Sequence, residues 1–129
     1  MPSSTKGIRR VLVADDDPQM GAFVKAALQA TGHFVTLCRN GVDALKARAN
    51  GSFSVLVLDN LMPAKTGLEV LRELREAGDD LPVVLMSSHH SDETRETCAA
   101  LDRTFLLQKP FELSELHDAI ERVLGRVNI

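Results

Sequence analysis

The chain has 129 residues, which is enough for one hydrophobic core and one domain. Its net charge of −3 and pI of about 5.8 argue against a nucleic-acid-binding surface, and its 44% hydrophobic content is ordinary for a globular protein. No apolar stretch is long enough to cross a bilayer, and residues 1–7 lack the apolar core of a signal peptide. The sequence therefore predicts a cytoplasmic protein without membrane contact.

Short apolar runs along the chain predict the strands of a sheet. They cover residues 8–14, 34–38, 54–59, 81–87 and 104–108. The third run is almost continuously apolar, which is typical of a strand buried on both faces.

Amphipathic segments predict five helices between and after these strands. Asp17 is predicted to cap the first helix, with Pro18 at its first position and Gly32 at its end. The second follows Asn40-Gly41, and the others cover residues 66–77, 91 to about 101, and 112 to about 126. The side chains predicted to face inward are Met20, Val24, Ala27, Leu28, Val42, Leu45, Ala49, Leu68, Leu71, Leu74, Leu116, Ile120, Val123 and Leu124.

Strands that alternate with helices predict βαβ units, and right-handed crossovers make a doubly wound α/β fold with a parallel sheet. Residues 1–7 are predicted to be a disordered tail, and residues 8–129 a single domain without an appended output domain. Cys38 and Cys98 lack the spacing of metal ligands and are predicted to be free thiols.

Four of the predicted strands stop at polar residues that suit phosphoryl-transfer chemistry. Three aspartates at 15–17 follow the first strand, Asp59 ends the third, Ser87 ends the fourth, and Lys109 follows the fifth. Because the carboxyl ends of parallel strands line one edge of a sheet, these groups are expected to converge. Together they can hold a divalent cation, supply a nucleophilic carboxylate and balance a phosphoryl dianion.

With these motifs in this order, the chain resembles the receiver domain of response regulators, including chemotaxis regulators, which is the phosphoacceptor part of two-component signalling. The resemblance covers about residues 8–126 and implies a flavodoxin-like fold with strand order 2-1-3-4-5 and five helices. The motifs that carry it are Asp15-Asp16, Asp59 with Met62-Pro63 and Gly67, Ser87-Ser88, and Lys109-Pro110-Phe111.

The resemblance implies a magnesium site among the acids. Asp16, Asp59 and the backbone carbonyl of Leu61 would bind Mg²⁺, and Asp15 would act mainly through water. Asp17 precedes a proline and is interpreted as a helix cap rather than a ligand.

The resemblance also implies a role for the remaining site residues. Asp59 would accept a phosphoryl group from a sensor histidine kinase or a phosphotransfer protein, while Ser87 and Lys109 bind the phosphoryl oxygens. A cis peptide bond is expected between Lys109 and Pro110. The domain, a monomer or weak dimer, would catalyse its own phosphorylation and dephosphorylation. It would bind an effector protein through its fourth helix, fifth strand and fifth helix.

Two features depart from the family pattern. Leu106 stands three positions before the lysine, where the family usually carries an aromatic residue, and Phe105 is expected on the opposite sheet face. Either Leu106 replaces the aromatic switch, or a local bulge re-registers the strand. His89-His90 follow the serines, and for His89 a place beside the phosphoryl pocket is favoured over a metal role.

Three other functions are alternatives for a chain with this pattern of residues. A flavodoxin needs a phosphate cradle after the first strand, where this chain has acids at 15–17. A phosphatase of the haloacid dehalogenase type needs an acid two residues after its nucleophile, where this chain has Leu61. A pseudo-receiver without chemistry is the main alternative, and the full set of acids, hydroxyl and lysine argues against it.

Overall fold

The computed structural model of the chain describes residues 9–88 and 91–125. The strands are β1 (Arg10–Ala14), β2 (Phe34–Cys38), β3 (Val55–Asp59), β4 (Val83–Ser87) and β5 (Thr104–Gln108). The helices are α1 (Pro18–Ala30), α2 (Gly41–Asn50), α3 (Gly67–Glu76), α4 (Asp92–Ala100) and α5 (Leu113–Val123). All ten lie within a few residues of their predicted positions. The tail predicted for residues 1–7 lies outside the described residues.

The five strands form one parallel sheet in the order β2-β1-β3-β4-β5, which confirms the predicted doubly wound fold. The register pairs Ala14 with Leu58, Asp59 with Met86, and Ser87 with Gln108. The carboxyl ends of β1, β3, β4 and β5 therefore reach one edge of the sheet together.

Alternation along the strands divides the core into two layers, one on each face of the sheet. Leu12, Leu58 and Leu85 pack with α2 and α3 on one face. Val13 and Val57 pack with α1 and α5 on the other face. Every residue of β3 and β4 is buried, so these two strands, which end at the polar edge of the sheet, are packed on both faces.

Local signals predicted the helix ends correctly. Asp17 caps α1 by accepting a hydrogen bond from the Gln19 N–H at 3.0 Å, and Pro18 begins the helix. Gly32 follows that helix with φ of 94°, and Gly78 follows α3 with φ of 80°, a conformation that favours glycine.

The inward face predicted for α2 is wrong at two positions. Val42 and Ala49 are exposed, whereas Gly41 and Ala44 are buried. The reason is a close approach of α2 to α3, since a Cβ at Gly41 would lie 2.6 Å from the Val70 Cγ2 atom. The close packing against α3 therefore buries a different face of α2 from the one that its apolar residues predict. For the other helices, the residues predicted to face inward are buried or partly buried.

A buried histidine links the residue before β1 to the residue before β2. His33 Nδ1 accepts a hydrogen bond from the Arg9 N–H at 3.1 Å, and the side chain is 8% exposed. Burial, followed by the nearby charge of His117, lowers the pKa of His33, although Glu121 acts in the opposite direction. The folded protein therefore favours the neutral form of the His33 side chain.

We expect this histidine to make the protein less stable in mild acid. Below the ordinary histidine pKa of 6.5 the unfolded chain takes up a proton that folded His33 resists, so the free energy of unfolding falls as pH drops. His33→Asn keeps an acceptor oxygen but does not titrate. Thermal melts from pH 7.5 to 5 should show a smaller loss for His33→Asn than for wild type, and parallel losses in both would contradict this assignment.

Candidate functional site

Three aspartates meet at the carboxyl edge of the sheet. Asp15 follows β1 and is fully buried, Asp59 ends β3 and is 5% exposed, and Asp16 faces solvent. One carboxylate oxygen from each lies within 4.8 Å of the other two. The structure thus brings two buried acids and one exposed acid into a single cluster that water can reach.

Lys109 supplies the positive charge of this cluster. Its Nζ atom lies 2.9 Å from Asp59 Oδ1 and 3.9 Å from Asp15 Oδ2, and its side chain is 18% exposed. The Lys109 N–H donates to the Ser87 carbonyl at 2.9 Å, so the pairing of β4 with β5 continues to the lysine. The Lys109–Pro110 peptide bond is cis, as the resemblance implied.

The surroundings of Asp15 disfavour its charged form. Burial raises the pKa of Asp15 to about 6, and the charge of Asp59 adds to this effect. The Asp17 N–H, 2.9 Å from Asp15 Oδ1, acts in the opposite direction. Asp15 Oδ2 is buried without a hydrogen-bond partner. A set of carboxylate oxygens with one unsatisfied buried oxygen is suited to a hard divalent cation such as Mg²⁺.

The structure places the other predicted residues around the cluster. Ser87 is buried at the end of β4, one residue beyond Met86, which pairs with Asp59, and its carbonyl accepts the Lys109 N–H. Leu61 lies in the loop after β3 with its side chain 61% exposed. Asp17 caps α1 and is outside the cluster, as predicted. His89-His90 lie outside the described residues.

The structure decides between the two alternatives for β5. The strand pairs with β4 without interruption, with Phe105 opposite Val84 and Leu106 opposite Leu85. Leu106 packs on the α2–α3 face, whereas Phe105 packs on the α1–α5 face. The bulge alternative is therefore wrong, and Leu106 takes the position of the family's aromatic residue. It lines a cleft of about 320 Å³ beside α4.

Sequence reasoning assigned no role to Asn60, the residue after Asp59. Its Oδ1 atom accepts the Leu68 N–H at 3.0 Å, and its carbonyl accepts the Gly67 N–H at the same distance. Asparagine is a common helix cap, but this helix begins seven residues later along the chain. Patterns for helix caps are local, so no local signal could have found it.

Comparisons with known proteins agree with this geometry. Residues 11–121 match the model of the response regulator receiver domain family. Response regulator MprA from Mycobacterium sp. (strain KMS) is 39% identical over 121 residues, which cover 92% of this chain and 52% of that protein. The chain therefore spans about half the length of the curated relatives it matches.

Two solved structures are similar over almost the whole described fold. The Francisella response regulator 1452 receiver domain has a TM-score of 0.82 and 30% identity, covering 93% of this chain and 99% of that one. Response regulator TrrA from Thermotoga maritima, solved in complex with Mg(2+)-BeF, has a TM-score of 0.79 and 30% identity, covering 89% and 98%. The chain belongs to the response regulator receiver domain family.

Among the described residues, no helix is both long and apolar enough to cross a membrane.

We expect Asp15→Asn to stabilise the metal-free protein near neutral pH. The raised pKa means that ionised Asp15 destabilises the folded state, by an amount on the order of 3 kcal/mol for a rise from 3.8 to about 6. In EDTA at pH 7.5 the variant should melt at a higher temperature than wild type. The difference should shrink as pH falls from about 6 toward 3.8, where Asp15 becomes protonated in both states.

Asp16→Asn is the matched control, because that carboxylate already faces solvent and should change the melting temperature little. A lower melting temperature for Asp15→Asn than for wild type in EDTA would refute the expected electrostatic cost.

Proposed function

We propose that this chain accepts a phosphoryl group on Asp59, with Mg²⁺ as cofactor, from a phosphohistidine on a sensor kinase or phosphotransfer protein. The observation that carries the proposal is the Asp59 carboxylate at the sheet edge, 2.9 Å from the Lys109 ammonium and beside two further acids. The similarity to TrrA, solved with Mg(2+)-BeF, supports it.

The chemistry requires positioning and charge more than proton transfer. An Asp59 carboxylate oxygen forms the new O–P bond while the N–P bond of the donor breaks, and that electron pair returns to the donor imidazole. The Lys109 ammonium then pairs with one negatively charged phosphoryl oxygen. The Ser87 hydroxyl donates a hydrogen bond to a second phosphoryl oxygen. The Lys109 Nζ atom lies 2.9 Å from Asp59 Oδ1, and Ser87 ends β4 one residue beyond Met86, which pairs with Asp59.

Asp15, Asp16, Asp59 and the Leu61 carbonyl would hold Mg²⁺. The bound ion would neutralise the carboxylates and the incoming phosphoryl oxygens. The buried Oδ2 atom of Asp15, which has no hydrogen bond, and the raised pKa of this residue support an ion at this place.

The alternatives explain less of the structure. A pseudo-receiver does not require a lysine aimed at a buried carboxylate beside two more acids. A phosphatase of the haloacid dehalogenase type requires an acid where Leu61 presents an exposed apolar side chain. We therefore retain the receiver mechanism as the proposal.

The proposed output is a change in partner binding on the surface formed by α4, β5 and α5. Only Thr94 and Cys98 of α4 are buried, so this helix is held by few core contacts. Clefts lie beside it, one lined by Leu106 and one by Arg72 and Leu101. A helix with so little buried surface can move when the loops at the sheet edge close on a phosphoryl group. We propose this for a monomer or weak dimer whose described domain does not itself bind nucleic acid.

We expect Asp59 alone to take the phosphoryl group. Wild-type protein incubated with acetyl phosphate and Mg²⁺ should gain the mass of one phosphoryl group, because this carboxylate accepts the hydrogen bond of the Lys109 ammonium. Asp59→Asn removes the nucleophile and should gain none in intact-mass measurements.

Two controls bear on the metal. Omission of divalent ions should abolish labelling of wild type, and so should Asp16→Ala, whereas Asp15→Ala should only weaken it. Equal labelling of wild type and Asp59→Asn would refute the assignment, and labelling in EDTA would refute the metal-dependent mechanism.

We expect a smaller conformational shift on phosphorylation than an aromatic residue at position 106 would give. Leucine fills less area than a ring and has no polar tip, and full inversion of a two-state equilibrium needs about 5.5 kcal/mol of differential binding. Backbone NMR with beryllofluoride and Mg²⁺ should show limited changes at residues 104–108 and α5. Leu106→Tyr should enlarge them, because its ring can extend into the 320 Å³ cleft.

Large shifts across residues 104–108 and α5 in wild type would contradict this expectation. They would mean that leucine switches as effectively as an aromatic side chain.

A further inference from the structure

Asn60 caps helix α3 with both of its oxygens. Its carbonyl accepts the Gly67 N–H and its Oδ1 accepts the Leu68 N–H, each at 3.0 Å. The Thr66 hydroxyl accepts the Glu69 N–H at 3.1 Å. The first amides of a helix have no partner within it, so these bonds satisfy the opening turn of α3. Two of the three come from the residue beside the phosphoacceptor.

Asn60 is also fixed to the sheet. Its N–H donates to the Met86 carbonyl at 2.9 Å, which extends the pairing of β3 with β4 past Asp59. Gly67 brings the helix against the same backbone, since a Cβ there would lie 2.4 Å from the Asp59 carbonyl oxygen. Asn60 is therefore the joint between the central strand and α3.

The loop of residues 61–66 leaves Asn60 and returns to it through the Gly67 hydrogen bond. Within it the Lys65 N–H donates to the Pro63 carbonyl at 2.7 Å, and Ala64 has φ of 69°. This tight turn places an L-residue in a conformation that costs on the order of 1 kcal/mol or more. A strained turn keeps its shape only when its surroundings hold it, and here the ends of the loop are held at Asn60.

We propose that Asn60 is a positioning residue for the metal site. By fixing α3 and the strained loop through Oδ1, it holds the Leu61 carbonyl where that oxygen completes the set formed with Asp15, Asp16 and Asp59. The inference rests on the proposed function, because the ion and the role of Leu61 belong to it. Asn60 itself touches neither the ion nor the phosphoryl group.

The test compares two caps of the same helix. Asn60→Ala removes the acceptor for the Leu68 N–H and leaves the backbone bonds in place, whereas Thr66→Ala removes the acceptor for the Glu69 N–H at the other end of the loop. Mg²⁺ affinity is measured by calorimetry and by titration of backbone amide shifts. We expect roughly 10-fold weaker Mg²⁺ binding for Asn60→Ala, the usual scale for loss of a residue that supports a ligand, and unchanged binding for Thr66→Ala.

Two further readouts separate positioning from stability. At saturating Mg²⁺ the phosphorylation rate of Asn60→Ala with acetyl phosphate should return close to that of wild type, because the nucleophile and Lys109 are intact. Asn60→Asp keeps an acceptor oxygen and should restore both the Leu68 amide shift and Mg²⁺ binding. If Asn60→Ala does not fold, Asn60→Gln, which displaces the oxygen by one methylene, takes its place with the same expected loss.

Equal Mg²⁺ affinity in the Asn60 and Thr66 variants would overturn the inference. Wild-type protein that neither binds Mg²⁺ nor gains a phosphoryl group would instead refute the proposed function.

Discussion

Repulsion among carboxylates at the sheet edge is the constraint on which the rest of the site depends. Asp15 and Asp59 are buried, and Asp16 stands beside them at the surface. One ammonium, that of Lys109, approaches the two buried acids. Burial, with a smaller contribution from the charge of Asp59, raises the pKa of Asp15, and its Oδ2 atom lacks a hydrogen bond. A site held in this state gains most from an added cation, and from chemistry that uses one.

The parallel sheet makes this crowding possible. Strands buried on both faces provide the hydrophobic stabilisation that keeps like charges together. The register pairs Asp59 with Met86 and Ser87 with Gln108, and Lys109 follows directly, so the three polar residues lie at the same edge of the sheet. The proposed site residues lie on strand ends and short loops, so the rigid core holds Asp59 in place while the loops are less constrained.

In the proposed mechanism, this chain differs from the family pattern at position 106 of β5, where it carries a leucine instead of an aromatic residue. The ring on β5 belongs to Phe105, which faces α5 and lies 5.2 Å from the Arg122 guanidinium. Leu106 packs on the opposite face of the sheet, with α2 and α3, and both residues line the cleft beside α4. The apolar side chain on the α2–α3 face of β5 is therefore smaller than the ring on the α1–α5 face. The aromatic ring of Phe105 packs toward α5.

The sequence by itself determined the alternation of strands and helices, the strand-end motifs and the Asp17 cap, because each follows from residues close together in the chain. The tertiary structure decided what depends on distant partners. The close approach of Gly41 to Val70 set which face of α2 is buried, and burial raised the pKa of Asp15. Asn60 found its partner on α3 only when the chain folded back onto β3. Periodicity and spacing carry no information about such contacts, because packing between separate elements creates them.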